Sequence, residues 1–279
     1  MPETTKMTKD ITFHVRRYDP MKDKEPYMQS FQVPVTPGMV VLDGLHHIKE
    51  NLDPTLALRY SCRMGVCGSC GMLLNGTPTL ACNTQILDIA TTDLTVAPLP
   101  NFHIIKDLVP DLMPMLEKHR AIHPYIHREK PEELNDTTGE HYQTPEQLEH
   151  YLQFTYCIKC GCCMAGCPTL ATDSEYLGPQ PLTQAYRYNA DTRDGGRAAR
   201  NEVTGDTHGA FRCHYAGECS RVCPKGVDPA KAVQLLKRQL VFDYLHLAQK
   251  QTPCELLHGP AKGEKMPNIP TAPARTAGV

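Results

Sequence analysis

The sequence predicts an α+β protein with two domains, a sheet-rich first domain of the β-grasp type and an all-helical second domain. Short alternating apolar segments and a two-residue turn signal occupy the first hundred residues, whereas helical periodicity and capping residues dominate later. The length of 279 residues fits about two domains. The predicted boundaries are 8–100 for the first domain, 101–143 for a connecting helix and linker, 144–250 for the second domain and 251–279 for an extended tail.

Two strands and a helix begin the first domain. Residues 11–15 and 31–35 alternate apolar and polar side chains, as strands with one buried face do. Pro34 cannot donate a ladder hydrogen bond, so it favours an edge position for the second strand. Residues 40–49 carry apolar side chains at helical spacing and are predicted to form a helix.

A hairpin and a last strand complete the first domain. Asn75-Gly76, the strongest short-range signal for a two-residue turn, separates the apolar segments 72–74 and 77–80. A final strand is expected near residues 94–97. Two strands, a helix, a hairpin and a last strand, in this order, compose a β-grasp arrangement.

A connecting segment follows the first domain. A helix is predicted over residues 107–120, with Pro110 and Pro114 causing a broken start. The polar stretch 129–141 is predicted to be a linker.

Helices dominate the second domain. Thr144 and Gln147 form a capping box, so a helix is predicted to begin at Pro145. Further helices are predicted over 182–189 and 229–248, the latter capped by Asp228. Residues 252–279 contain five prolines, few large apolar side chains and no periodicity, which is the basis for the predicted extended tail.

Four cysteines in the first domain form an iron–sulfur pattern. Cys62, Cys67 and Cys70 have the spacing C-x4-C-x2-C, and Cys82 follows after the predicted hairpin. This is the plant-type 2Fe-2S pattern with an early fourth ligand. The hairpin explains how the chain returns Cys82 to the loop, so a 2Fe-2S cluster is predicted on these four side chains.

The second domain contains two related cysteine runs of the form C-x2-C-x2-C-x3-C-P, typical of bacterial ferredoxins, in which the fourth cysteine binds the other cluster. In the second run, Ala216 stands where a cysteine is expected. The crossover rule predicts a 4Fe-4S cluster on Cys157, Cys160, Cys163 and Cys223. Because one ligand is missing, it predicts a 3Fe-4S cluster on Cys167, Cys213 and Cys219. These are bacterial-ferredoxin-like sites in a helical ferredoxin domain.

Two other interpretations of the cysteines have less support in the sequence. A disulfide scaffold requires an oxidising compartment, but the cysteine count is odd and the first fifteen residues contain no apolar signal segment. A structural zinc module remains an alternative, since C-x2-C pairs also bind zinc. Zinc does not explain the repeated Cys-Pro ending. Cys162 and Cys254 are left over and are expected to bind nothing.

Composition excludes several functions. Lys and Arg number 29 against 31 Asp and Glu, so no basic surface for nucleic acid is expected. No apolar run approaches the roughly 18 residues of a membrane helix. The phosphate-binding motifs G-x-G-x-x-G and G-x-x-x-x-G-K-[ST] do not occur in the sequence. Such a chain is expected to pass electrons for partner proteins.

Residues 10–245 resemble the iron–sulfur subunit family of succinate dehydrogenase and fumarate reductase, respiratory complex II. The resemblance lies in the three cysteine motifs, their order and the segments 61–71 (SCRMGVCGSCG), 156–161 (YCIKCG), 177–179 (LGP), 187–194 (RYNADTRD) and 223–229 (CPKGVDP). It implies a subunit of an enzyme, succinate:quinone oxidoreductase, with no substrate site of its own. Electrons would pass singly between covalent FAD on a flavoprotein subunit and quinone at a membrane anchor, which in some members bears haem.

The resemblance also implies a location and a role. The complex would act in the tricarboxylic acid cycle and the respiratory chain. The chain would lie peripherally on the cytoplasmic face of the inner membrane. The same subunit of a menaquinol:fumarate reductase is the alternative, and an iron–sulfur subunit of another flavoenzyme with a thiol donor is a third possibility.

The quinone site implied by the resemblance consists of Pro168, His214, Gln234 and Lys237. Gln234 and Lys237 are three residues apart on one predicted helix and can therefore face the same cluster. The sequence contains no tryptophan, a quinone ligand in some ubiquinone-linked members. Gln234 resembles the menaquinone-linked type, so menaquinone is the favoured quinone.

Overall fold

The structure is a computed structural model that describes residues 9–90, 92–128, 130, 132, 139–247 and, for the backbone, 256–258. Most of the predicted tail, and much of the predicted linker, lie outside the described residues. The strands are β1 (Lys9–Arg17), β2 (Tyr27–Val35), β3 (Gly71–Leu74), β4 (Thr77–Leu80), β5 (Asp93–Ala97), β6 (Ile104–Lys106), β7 (Val109–Pro110), β8 (Gly139–His141) and β9 (Leu256–His258). The helices are α1 (Val41–His47), α2 (Ile86–Ile89), α3 (Met113–Ala121), α4 (Pro145–Thr155), α5 (Cys162–Ala165), α6 (Pro168–Thr172), α7 (Pro179–Asn189), α8 (Arg197–Thr204), α9 (Glu218–Arg221) and α10 (Pro229–Tyr244).

The first five strands form one mixed sheet in the order β2-β1-β5-β3-β4. β1 pairs antiparallel with β2 and parallel with β5, and the hairpin β3-β4 joins through β3. Asn75 and Gly76 occupy the hairpin turn with φ of 45° and 80°, the left-handed conformation that a type I′ turn requires. The hairpin prediction is confirmed, and β2 is an edge strand, as Pro34 indicated.

Two apolar cores stabilise the chain, and the first one crosses from the sheet into the helical half. It contains Phe13 and Val33 from the sheet and Leu45 from α1. It also contains Cys162 from α5 and Val222, which follows α9. The second core packs α4, α7 and α10 together. The chain is therefore an α+β protein in which the sheet and the helices share buried surface.

Asn101 joins the two halves by hydrogen bonds. Its Nδ2 donates to the carbonyl oxygens of Met164, Ala165 and Cys167 at 3.0, 3.2 and 3.0 Å. These carbonyls belong to the C-terminal end of α5 and the residues after it, where helical partners are missing. Asn101 thus satisfies them from the first half and fixes the position of the first cysteine run of the second half.

The predicted helix over residues 107–120 is wrong in its first turns. The chain forms the short hairpin β6-β7 there, and α3 begins only at Met113. Asp107 has φ of 45° and its carboxylate accepts hydrogen bonds from Arg17 Nε, Tyr18 N and Ala57 N. A buried carboxylate with three donors holds a turn, so the helical pattern of the following residues cannot extend back through it.

The other helix predictions hold with shifted ends. The capping box at Thr144 is confirmed, since Gln147 N donates to Thr144 Oγ1 and Thr144 N donates to Gln147 Oε1. Asp228 caps α10 by accepting from Lys231 N, but α10 ends at Tyr244. The helix predicted over 182–189 begins earlier, at Pro179, and the helix over 40–49 is split into α1 and a π-helical turn, Ile48–Leu52.

The predicted tail forms a strand where it is described. β9 pairs antiparallel with β8, which lies at the end of the predicted linker.

A buried ion pair organises the segment between α3 and α8. Arg200 and Asp194 have side chains 0% and 1% exposed, and their two hydrogen bonds measure 2.6 and 2.7 Å. Arg200 also donates to the carbonyl oxygens of His123 and Tyr125. Both charges are thus satisfied, and the pair ties a loop after α3 to the helical core.

We expect Arg200→Met to destabilise the protein by about 3–5 kcal/mol, because it leaves the buried Asp194 carboxylate without its counter-charge. The apparent melting temperature measured by calorimetry should fall on the order of 10 °C. Arg221→Met is the matched control, since Arg221 pairs with Glu218 at the surface, where solvent screens the pair, and its loss should leave the melting temperature nearly unchanged. Equal melting temperatures for the two variants would contradict the role assigned to the buried pair.

Candidate cluster sites

The first cysteine loop surrounds a site at the edge of the sheet. Cys62, Cys67 and Cys70 lie in the loop before β3, and Cys82 lies in a single 3-10 turn after β4. Ala81 N donates to Cys70 O at 3.1 Å, which closes the hairpin onto the loop. The hairpin thus brings together the four cysteines that the sequence pattern selected.

Backbone N–H groups converge on the sulfur atoms of this loop. Met64, Val66 and Cys67 donate to Cys62 Sγ at 3.5, 3.4 and 3.3 Å and lower the pKa of Cys62 to about 6. Gly65 N donates to Cys82 Sγ at 3.3 Å. Donors of this kind stabilise thiolate, the form that binds iron.

The first cavity of the helical half is lined by Cys157, Cys160, Cys163 and Cys223. Three of these belong to the first run and one to the second. Burial is the largest effect on Cys163 and raises its pKa well above its ordinary value. Positive charge, such as that of bound iron, is needed to hold such buried sulfurs as thiolates.

The second cavity is lined by Cys167, Cys213 and Cys219. Ala216 also lines it, with a methyl group in place of a thiol. Burial raises the pKa of Cys219 to about 12. The structure therefore exchanges the last cysteine of each run: Cys167 goes to the second cavity and Cys223 to the first.

The two runs repeat one backbone conformation around their second position. Lys159 and Gly161, which flank Cys160, have φ of 56° and 84°. Tyr215 and Gly217, which flank Ala216, have φ of 60° and 78°. Ala216 thus occupies the backbone position of a ligand and lacks only the sulfur.

These cavities differ from single-ion sites. Within the described residues, no group of three or more Cys, His, Asp or Glu side chains is arranged to hold one metal ion. A tetrahedral zinc site needs four ligands about 2.3 Å from one ion. Thiol groups around a larger space fit a cluster, in which each sulfur binds a different iron.

The three cysteine sites follow one another in space through the molecule. Gly68, in the first loop, packs so tightly on Cys160 that an added Cβ would lie 2.8 Å from the Cα of Cys160. The exchange of Cys167 and Cys223 then links the first cavity to the second. The order is first loop, first cavity, second cavity.

Family models match the chain in the same order. Residues 12–117 match the 2Fe-2S iron-sulfur cluster binding domain, and residues 153–227 match the 4Fe-4S dicluster domain. The fumarate reductase iron-sulfur subunit of Mycobacterium tuberculosis is 44% identical over 81% of this chain and 91% of its own length. The chain belongs to this family of iron–sulfur subunits.

Two further relatives agree with this assignment. The fumarate reductase iron-sulfur subunit of Haemophilus influenzae is 43% identical over 84% of this chain and 94% of its own. A chain of the Mycobacterium smegmatis Sdh1 complex in the apo form superposes with a TM-score of 0.73, 28% identity and coverage of 86% of this chain and 98% of that one. Family membership supersedes the zinc-module alternative and identifies a subunit of an oxidoreductase that transfers electrons.

Of the four residues selected for quinone, Pro168 lines the second cavity, His214 follows Cys213, and Lys237 contacts Cys213. Pro168 lines the cavity and is exposed, and His214 is exposed beside Cys213. Lys237 Nζ donates to Cys213 O at 2.8 Å. Nε2 of Gln234, one turn earlier, is buried without a hydrogen-bond partner among the described residues. Lys237 therefore holds a cluster loop as well as placing a charge there.

Sequence reasoning missed two polar side chains at the first cavity. Gln180 and Thr183 line it from α7 and are each 1% exposed. The Leu177-Gly178-Pro179 segment marked this turn, but nothing in the sequence showed that the next polar residues face a cluster. Cys162 is fully buried in the apolar core, as expected of a packed thiol.

We expect Gly68→Ala to destabilise the protein more than Gly76→Ala. Both glycines have positive φ, 75° and 80°, which costs an alanine about 1–2 kcal/mol. Only Gly68 meets backbone within 4 Å, so its variant should cost about 1–3 kcal/mol more through overpacking against Cys160. Calorimetric melting of both variants tests this difference; equal losses would show that the loop does not press on Cys160.

Proposed function

We propose that this chain carries electrons one at a time through three iron–sulfur clusters in a succinate dehydrogenase or fumarate reductase complex. The 2Fe-2S cluster is held by Cys62, Cys67, Cys70 and Cys82. The 4Fe-4S cluster is held by Cys157, Cys160, Cys163 and Cys223, and the 3Fe-4S cluster by Cys167, Cys213 and Cys219. The exchange of cysteines between two cavities, with Ala216 at a ligand position, is the observation that supports this assignment most strongly. When bound, such clusters supply reversible one-electron chemistry.

The proposed domains follow from the same assignment. The strand order β2-β1-β5-β3-β4, with α1 in the same core, supports a β-grasp ferredoxin-like domain over residues 8–100. The short helices that follow cysteines support a helical, bacterial-ferredoxin-like domain over 144–250. A connecting segment over 101–143 and a tail over 251–279 complete the proposal.

The proposed partners are a flavoprotein subunit with FAD, a membrane anchor that can bear haem, and quinone. The structural neighbour from Mycobacterium smegmatis is a chain of the Sdh1 complex. Within the described ranges, none of the helices is both long enough and apolar enough to cross a membrane. Exposed apolar side chains on and beyond the end of α10, among them Phe242, Tyr244 and Leu245, suit burial against an anchor on the cytoplasmic face of the inner membrane.

Menaquinol:fumarate reduction is the second candidate direction. The curated relatives named above are fumarate reductase subunits, and Nε2 of Gln234 is buried without a hydrogen-bond partner among the described residues. Lys237 and His214 would supply positive charge and protons near the carbonyl oxygens of a quinone. Succinate oxidation in the tricarboxylic acid cycle uses the same path in reverse.

Purification of the native complex from membranes tests the proposal. Anaerobic protein should contain about nine irons per chain of this subunit, for clusters of two, four and three irons. Paramagnetic resonance should resolve three centres, and the complex should couple succinate oxidation or fumarate reduction to quinone. Zinc in place of iron, or a single centre, would overturn the proposal.

We expect Ala216→Cys to convert the 3Fe-4S site into a 4Fe-4S site, because the backbone around Ala216 already has the conformation found at Cys160. The oxidised 3Fe-4S resonance should disappear and the reduction potential of this site should fall, since a further thiolate adds negative charge. Ala230→Cys is the control: it adds a thiol to the same cavity from α10, where no ligand is expected. Retention of the 3Fe-4S resonance in Ala216→Cys contradicts the prediction.

We expect Lys237→Leu to lower quinone-dependent turnover on the order of 10²-fold, as removal of one electrostatic donor does. Dye-linked activity drawn from the flavin should stay near the wild-type rate. Because Lys237 also binds the Cys213 carbonyl, the resonance of the 3Fe-4S site must be recorded to separate loss of the cluster from loss of the quinone site.

Lys231→Leu is the matched control for this prediction, since Lys231 is an exposed lysine on the same helix. Wild-type quinone turnover in Lys237→Leu, with the cluster intact, would place the quinone site elsewhere.

A further inference from the structure

Gln180 is an unsatisfied polar group in the wall of the first cavity. The side chain is 1% exposed and lines the cavity together with Cys157, Cys160, Cys163 and Cys223. Its Oε1 is buried and has no hydrogen-bond partner among the described residues. A buried amide oxygen without a donor is destabilising, so a glutamine at this position requires a physical explanation.

His119 on α3 supplies the contact that orients the Gln180 amide. Gln180 Nε2 and His119 Nδ1 lie 3.3 Å apart. Burial, together with the charge of Lys159, lowers the pKa of His119 to about 4, so the imidazole is neutral at neutral pH. A neutral imidazole can carry its proton on either nitrogen, and therefore can either accept from the amide or donate to it.

The two orientations of the amide differ in what they present to the cavity. With nitrogen toward His119, the oxygen stays unpaired in the wall of a cavity that four cysteines, whose sulfurs are acceptors, also line. A half-turn of the amide lets His119 Nδ1–H donate to Oε1 and puts the –NH₂ group where the unpaired oxygen was. Only the second arrangement gives both amide atoms partners, because sulfur accepts hydrogen bonds and the amide nitrogen donates them.

We propose that Gln180, oriented by His119, donates a hydrogen bond to a sulfur of the 4Fe-4S cluster in this cavity and raises its reduction potential. The inference rests on the proposed function, which assigns that cluster to Cys157, Cys160, Cys163 and Cys223. Reduction adds negative charge to the cluster, so a donor stabilises the reduced form more than the oxidised form. His119 is the positioning residue, since it acts on the cluster only through Gln180.

Gln180→Met tests this role, because methionine keeps an unbranched side chain of similar length and has no donor. Potentiometric titration of the purified complex, followed by paramagnetic resonance, should show that the reduced 4Fe-4S cluster is favoured about tenfold less, which is 59 mV for one electron. Thr183→Val is the matched control: Thr183 lines the same cavity at 1% exposure, but its hydroxyl donates to Pro179 O at 2.6 Å. Its potential should equal that of the wild type.

A variant of His119 distinguishes loss of the hydrogen bond to the cluster from loss of packing by the Gln180 side chain. His119→Phe removes the group that orients the amide, so its potential should fall in the same direction as in Gln180→Met. The double variant should fall no further than Gln180→Met alone, because both changes remove one interaction. Additive shifts would overturn the role of His119.

A measurement on the wild-type complex tests the proposal even if a variant fails to fold. Electron–nuclear double resonance of the reduced 4Fe-4S cluster should detect coupling to the side-chain nitrogen after labelling of glutamine amides with ¹⁵N. Absence of this coupling, an unchanged potential in Gln180→Met, or equal shifts in Gln180→Met and Thr183→Val would each overturn the inference. Absence of any 4Fe-4S signal in the wild type would instead overturn the proposed function.

Discussion

The exchange of one cysteine between the two runs is the constraint on which the helical half depends. Cys167 reaches the second cavity from the first run, and Cys223 reaches the first cavity from the second run. Neither cavity can be completed by one run alone, so the two segments, about sixty residues apart in the chain, must pack together before either site is complete. α7 and α10, which lie in the second core, provide the walls behind both cavities.

Burial of the cysteine sulfurs adds an energetic requirement to this geometric one, because buried thiols resist deprotonation. Burial raises the pKa of Cys157, Cys167 and Cys219, whereas the exposed first loop lowers the pKa of Cys62 through backbone donors. The interior therefore favours neutral thiols until iron arrives, and iron binding drives deprotonation. Folding of the helical half and loading of its clusters are expected to be coupled, whereas the donors of the first loop are provided by the local backbone.

The sequence predicted those features that depend on neighbouring residues. The Asn75-Gly76 hairpin and the Thr144 capping box each need only a few adjacent side chains, and both are present. The grouping of cysteines around two cavities followed from spacing because the motif itself encodes the exchange. The start of α3 was mispredicted because Asp107 is held by Arg17, ninety residues away. Gln180 was missed for the same reason, since only the packing of α3 on α7 places His119 beside it.

The polar groups around the cavities, in addition to the number of cysteines, give the two sites different electrostatic environments. Lys159 and Lys225 line the first cavity, whereas Glu218 lines the second, where Arg221 pairs with it at 2.6 Å. Positive charge near a cluster favours its reduced form, and a paired carboxylate contributes little field at a distance. A carrier between two others needs a reduction potential that is neither too high to release the electron nor too low to accept it. The lysines and Gln180 raise the reduction potential of a buried site that is rich in thiolates. In the proposed function, the cysteines select the clusters, and these neighbouring side chains adjust how readily each cluster accepts an electron.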